Sequence, residues 1–172
     1  MTRHRARLWT AVAAIAFLVA GCGDDHPAAP DAPPPAAASP AVAEFTALVN
    51  AHRAALGLAP LAWDPAIAAV AQAHSADMVA RGFFSHTNPD GESPFDRLAA
   101  AGVSYSAAGE NIAYGYPTAE SVLAAWLASD GHRANIENGS FTHHGVGLAG
   151  THWTHVFVRG PSGARPVPGH QP

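Results

Sequence analysis

Between residues 40 and 130 the apolar positions recur at helical spacing, whereas from His144 onward they alternate. This change of period does most to limit what the chain can fold into, because it calls for helices first and a tight strand pair last. Ser39-Pro40 supplies a cap and a first-turn proline, followed by a stripe of Phe45, Leu48, Val49, His52 and Leu56 that stops at Gly57. Asp64-Pro65 repeats the signal, and Ile67, Val70, Ala71, His74 and Met78 form a second stripe ending at Arg81-Gly82. Leu58, Leu61 and Trp63 read as a buried connection between the two. Ser93-Pro94 with Asp96 opens a short third helix stopped by Gly102. Thr118 with Glu120 and Ser121 opens a fourth, carrying Val122, Leu123, Trp126 and Leu127 and stopping near Gly131. HGVGLAG and THWTHVFV then predict a hairpin, with His152 and Thr154 on one side and Trp153, His155 and Phe157 on the other. The expected class is α+β, with helices covering a small antiparallel sheet.

The ends bound the domain. Arg3, Arg5 and Arg7 precede an apolar run from Leu8 to Ala20, which has the length of a signal-peptide core and is short for a permanent membrane span. It closes on Val19-Ala20-Gly21-Cys22, which resembles a bacterial lipobox. That resemblance implies cleavage before Cys22, lipid on its sulfur, and export to the extracytoplasmic face of a bacterial membrane. Residues 1–21 therefore read as a lipoprotein signal peptide and 22–40 as a lipidated cysteine with a Pro/Ala-rich tether. Residues 41–159 read as one domain, expected to be monomeric, and 160–172 as a flexible tail. Cys22 is the sole cysteine, so no intramolecular disulfide supports the core. There is no lysine, and beyond the first three arginines six more face thirteen acids. No basic footprint for nucleic acid exists, and the acyl chains rather than charge would hold the membrane.

Chemistry concentrates in three polar segments, FFSHTNPDG (83–91), GENIAYG (109–115) and SDGHRANI (129–136). If the fold brings His86, Glu110 and His132 together, two imidazoles and a carboxylate suit a divalent metal, zinc first with copper or nickel as alternatives. The same set could instead be structural, since a buried carboxylate needs hydrogen-bond donors that two histidines would provide. Glu110 is also the candidate catalytic base for a bound water. The chain carries neither H-E-x-x-H nor G-x-S-x-G, and Ser85 beside His86 is a poor nucleophile–base pair. Asn111 is a candidate cleft residue that more often bonds nearby backbone. Arg133 and Asn135 flank His132, and Arg133 reads as a surface or carboxylate-pairing residue. His52 and His74 read as core-edge histidines bonded to backbone, and Trp63, Trp126 and Trp153 as core anchors. His143, His144, His152 and His155 form a further patch, read as ordinary strand polarity, with an accessory metal or pH-sensing surface as the alternative.

Taken in order, these segments resemble the CAP superfamily (cysteine-rich secretory protein, antigen 5, pathogenesis-related 1; also called SCP) in its short bacterial form. The carriers are Asn50 and Arg53 before GLAPLAWD (57–64), HSADM (74–78), FFSHTNPDGESPFDRL (83–98), AGENIAYG (108–115), AWLASDGHRANI (125–136), GVG (145–147) and HWTHVF (152–157). The resemblance implies an α-β-α sandwich with a central cleft that in many members holds two histidines and two glutamates. His86, Glu110 and His132 fall on three of those positions. The second glutamate is missing, since Trp126 is followed by Leu127-Ala128-Ser129-Asp130, which leaves Ser129 or Asp130 as substitutes. The resemblance also implies a small apolar or lipid ligand, or a cell-wall component, in the cleft. The leading expectation is a binding or interaction module, with a hydrolase using Glu110, His86 and His132 as the competing class. Cys22→Ser is expected to abolish metabolic labelling of the protein with a fatty-acid analogue, and labelling that survives the substitution refutes the lipid anchor.

Overall fold

The start signals act as the sequence predicts, because each places an oxygen against orphan amides of a first helical turn. In the computed structural model, which describes residues 38–160, Ser39 caps α1 (Pro40–Ala55) through Val42 N, and Asp64 caps α2 (Pro65–Arg81) through Ala66 N and Ile67 N. Helix α2 ends on Gly82 at φ 66°, a left-handed position that suits glycine. Ser93 and Asp96 form a reciprocal capping box on α3 (Pro94–Ala100), and Thr118 and Ser121 do the same on α4 (Ala119–Leu127). All described residues fall in one compact unit. The expected signal peptide, lipidated Cys22, most of the tether and nearly all of the tail lie outside the described residues. No described helix is long and apolar enough to cross a membrane.

Three elements differ from the reading above. The helical chain does not stop at Gly131. After a break at Ala128 and Ser129 it restarts as α5 (Asp130–Ile136), so the SDGHRANI segment is a helix. GENIAYG lies in strand β2 (Ala107–Tyr114), whose small and polar residues show no alternation. The sheet is mixed rather than antiparallel, because two residues of the α1–α2 connection, β1 (Ala62–Trp63), pair in parallel with β3 (His143–Ala149). The strand order is β1-β3-β4-β2, with β4 (His152–Arg159) antiparallel to both neighbours.

Residue parity in β4 divides the core. Trp153 and Phe157 pack with Val42, Phe45, Val49 and Trp126 of α1 and α4, whereas Val156 and Val158 pack with Ile67, Val70 and Ala71 of α2 and Leu98 of α3. The result is an α-β-α sandwich. Helix α2 lies against β3 almost backbone to backbone. A Cβ on Gly145 would sit 2.1 Å from Ala68 N, and one on Gly147 would sit 2.3 Å from the Ala71 carbonyl carbon. Asn50 donates to Leu61 O and accepts from Leu61 N, which folds the α1–α2 connection back onto α1. Arg53, fully buried, donates to Ala59 O, Ile136 O and Asn138 O, so it ties that connection to the end of α5.

The histidine patch divides, with His143 and His152 half-exposed and the other two dry. His144 and His155 are fully buried, with His144 Nδ1 2.9 Å from His155 Nε2, His144 edge-on to Trp63, and His155 against Phe157 at 3.8 Å. Their outer nitrogens, His144 Nε2 and His155 Nδ1, find no partner among the described residues. His52 also departs from its reading, pairing with the Glu137 carboxylate at 2.9 Å rather than with backbone. His74 does bond backbone, at Ser85 O. Trp126 and Trp153 are core anchors, whereas Trp63 is half-buried.

Burial, with the nearby Arg53 and His143 charges, lowers His144 to about 4, and burial holds His155 well below the ordinary imidazole range. Both are therefore neutral in the fold. The unfolded chain protonates its imidazoles near pH 6.5, so it takes up protons that the core refuses once pH falls below that value. Stability is full above about pH 6.5 and lost progressively toward pH 4, by about 1.4 kcal/mol per pH unit per histidine. Urea unfolding between pH 7 and pH 5 is expected to show that decline. A His144→Leu/His155→Gln variant should lose a large part of the slope, the remainder reflecting His74 and His132, which burial also lowers.

Candidate functional site

Strand β2 is an edge of the sheet, so its outer rim is open to residues arriving from both helical layers. Its parity sends Glu110 toward the α2 layer and Asn111 toward the α1–α4 layer, as their partners Val156 and His155 on β4 show. The loop after α2 brings His86 to Glu110, and α5 brings His132 to the opposite side.

The Glu110 carboxylate has 2 % of its side chain exposed, and both oxygens are engaged. His86 Nδ1 lies 2.8 Å from Oε1, and Arg97 Nη2 donates to Oε2 at 2.9 Å. An ionised carboxylate only accepts, so a His86 proton sits on Nδ1, and in the neutral ring it is Nε2 that carries the lone pair. Arg97 also donates to His86 O and Glu92 O at 3.0 Å each, which clamps the loop to α3. Sequence reasoning missed Arg97 and assigned the neutralising role to histidines alone. The available signal was the buried carboxylate itself, since such a group calls for a cation and α3 is the neighbouring helix that offers one.

On the other side, Asn111 is fully buried, donates to His132 O at 3.0 Å and accepts from Asn135 Nδ2 at 2.8 Å. It pins α5 to β2 through backbone, as its residue type suggested. His132 Nδ1 lies 3.0 Å from Ser129 Oγ, whereas the exposed Asp130 pairs with Arg133. Ser129 is thus the residue that meets the imidazole. Burial, and then the charge of His86, lower the His132 pKa, which keeps this ring neutral near pH 7 and marks the two imidazoles as electrostatic neighbours. Neither Nε2 has a hydrogen-bond partner among the described residues. Also among the described residues, no group of three or more His, Cys, Asp or Glu side chains is placed to hold a metal ion.

Two hollows lie nearby. A polar one of about 490 Å³ lies behind Glu110, lined by His74, Asp77, Arg81, Asn88, Glu92 and Arg97. The larger, about 810 Å³ and mostly apolar, lies between the start of α1, α2 and β3, with Val42, Trp63, Ala69, Ala73, Val146 and Leu148 on its walls. Neither is lined by His86, Glu110 or His132, and apolar space is separate from the imidazoles.

With this geometry established, comparison with known proteins settles the family. The model of the cysteine-rich secretory protein family (CAP) matches residues 46–158. The chain belongs to this family. Two curated Bacillus subtilis (strain 168) proteins are similar to it. The uncharacterized protein YkwD is 47% identical over 113 residues, covering 64% of this chain and 44% of YkwD. The uncharacterized membrane protein YlbC is 41% identical over 112 residues, covering 65% of this chain and 32% of YlbC. The chain thus spans less than half the length of either curated relative. An extracellular SCP-domain protein of Bacillus anthracis str. Ames superposes with a TM-score of 0.68 at 35% identity, over 72% of this chain and 45% of that one. An outer surface protein of Borrelia burgdorferi shares the fold, with a TM-score of 0.65 at 21% identity over 69% and 92% of the two chains. The CAP sandwich expected from the sequence is the fold observed.

Truncating Arg97 strands a buried carboxylate. Arg97→Ala is expected to destabilise the CAP domain by roughly 3–5 kcal/mol in urea, whereas Arg97→Met with Glu110→Leu should cost much less. Additive losses in that cycle contradict the coupling.

Proposed function

We propose that this CAP domain is an extracytoplasmic binding module whose cleft along β2 holds a divalent cation, zinc first, on His86 and His132. One observation carries the reading. Both imidazoles have Nδ1 tied back, to Glu110 at 2.8 Å and to Ser129 at 3.0 Å, while each Nε2 has no partner among the described residues. Such outer-shell bonds fix the tautomer and raise the basicity of the outward nitrogen, which is how metal-binding histidines are prepared. The lowered pKa of His132 acts in the same direction, because metal competes with protons for that nitrogen. Glu110 is the orienting group in this reading and not a direct ligand. A bound zinc would offer its open coordination positions to an oxygen or nitrogen of a ligand.

A hydrolase would need Glu110 to take a proton from water. Its side chain is nearly inaccessible and both oxygens already accept hydrogen bonds, so the geometry favours binding over catalysis. Export is supported by the extracellular Bacillus anthracis relative and by the signal-like pattern that ends at Cys22, through which we place the membrane anchor. The small apolar ligand expected from the resemblance finds its space in the groove beside Trp63 and Val146 rather than between the imidazoles.

Calorimetry with zinc is expected to detect binding that disappears in a His86→Ala/His132→Ala variant. Glu110→Gln should weaken it by about 10- to 100-fold through loss of orientation. Undiminished affinity in the double variant overturns the reading.

A further inference from the structure

Five large hydrophobic side chains among the described residues are well exposed, and two of them, Phe84 and Tyr114, touch each other. Phe84 is 52% and Tyr114 61% exposed, with ring centroids 6.3 Å apart. His152 completes the group, 4.6 Å from Tyr114 at an interplanar angle of 34° and 6.5 Å from Phe84. Exposed aromatics that gather in a contiguous patch mark a recognition surface more often than isolated ones do.

This patch is built on rigid parts. Tyr114 and His152 are register partners across β2 and β4, so the sheet ladder sets their spacing. The turn after Tyr114 is held by Trp153 Nε1 donating to Tyr116 O at 2.9 Å and by Gly115 N donating to Thr151 O. Phe83 turns inward against His74, with Arg81 over its face, and its neighbour Phe84 stands out in solvent.

We infer that Phe84, Tyr114 and His152 form a stacking platform for a pyranose ring of an uncharged oligosaccharide. Two features select that chemistry. First, the three segments that build the platform, 83–87, 113–116 and 150–153, contain no Lys, Arg, Asp or Glu. A neutral ligand fits such a surface, whereas an anionic lipid headgroup or a nucleic acid calls for basic residues. Second, polar groups border the rings. Ser85 and Thr87 are exposed, Thr151 is half-exposed, and the side chains of Thr151 and His152 make no hydrogen bond among the described residues. A lipid tail would need a continuous apolar surround. A sugar ring instead presents C–H groups to the electron-rich ring faces and hydroxyls to the polar border.

The platform is continuous with the cleft. Phe84 is two residues from His86, and Tyr114 lies on the same face of β2 as Glu110, four residues along, or roughly 13 Å. An oligosaccharide spans that distance and a monosaccharide does not. This inference rests on the reading of the domain as a binding module and names a ligand class for it.

The test uses β-1,4-linked N-acetylglucosamine hexamer and monomer as probes, titrated into the mature protein by calorimetry. The hexamer is expected to bind more tightly than the monomer. Phe84→Ala/Tyr114→Ala should lose at least tenfold in affinity, while Tyr114→Phe, which keeps the ring, stays near wild type. Circular dichroism and zinc binding of the double variant should be unchanged, because both side chains are exposed and neither ring packs on that of His86 or His132. Hexamer binding that survives the double alanine variant, or no hexamer binding by the wild type at millimolar concentration, overturns the platform. The His86→Ala/His132→Ala variant separates the two readings. If it loses zinc and keeps the hexamer, both stand. If zinc binding survives it, the cleft reading fails while the platform is still judged by its own variants.

Discussion

The site is organised by one buried carboxylate. Glu110 sits on an edge strand with almost no access to water, and a charge in such a place persists only if its partners are geometrically fixed. Arg97 supplies the countercharge from α3, and the same guanidinium holds the carbonyls of His86 and Glu92. One ion pair therefore determines where the loop after α2 lies, which nitrogen of His86 carries the proton, and which faces outward. Across the strand, Asn111 does the corresponding work through amide bonds to α5. The two imidazoles are presented by two unlike supports, one ionic and one neutral.

Absence of a second glutamate alters this site without emptying it. Ser129 occupies the place from which His132 Nδ1 is held, and a hydroxyl can do so without adding charge. A carboxylate there would raise the proton affinity of the ring, whereas with serine burial dominates and the imidazole stays neutral. The outcome is a less acidic site in which neither imidazole Nε2 has a hydrogen-bond partner among the described residues.

What could be read from the chain alone was whatever local chemistry dictates. Ser39-Pro40, Asp64-Pro65, Ser93-Pro94 and Thr118 mark their helices because capping acts within three residues, and the final hairpin shows itself by alternation. Strand β2 is hidden because Ala, Gly, Glu and Asn serve an edge that is covered on both faces, so no polar–apolar rhythm remains. Helix α5 is hidden because it restarts at Asp130, two residues after α4 ends, with no side-chain cap bond from Ser129. Two-residue β1 exists only through its pairing with β3. At the site, His86, Glu110 and His132 could be named from motif order, whereas Arg97 was signalled only by the need of a buried carboxylate for a cation, its placement depending on the angle at which α3 meets the strand. The burial of His144 and His155 was equally illegible, because alternation says which residues share a face and not which face is dry.

The close approach of α2 to β3 has a mechanical corollary. With Gly145 and Gly147 leaving no side chain between them, helix and strand meet as stiff backbones, and neither can slide along the other without collision. The His86 half of the cleft hangs from this stiff wall. The His132 half hangs from a seven-residue helix moored by side-chain amides and by Arg53. The two sides of the site thus rest on supports of unequal stiffness, the α2–β3 contact being the harder and the mooring of α5 the softer.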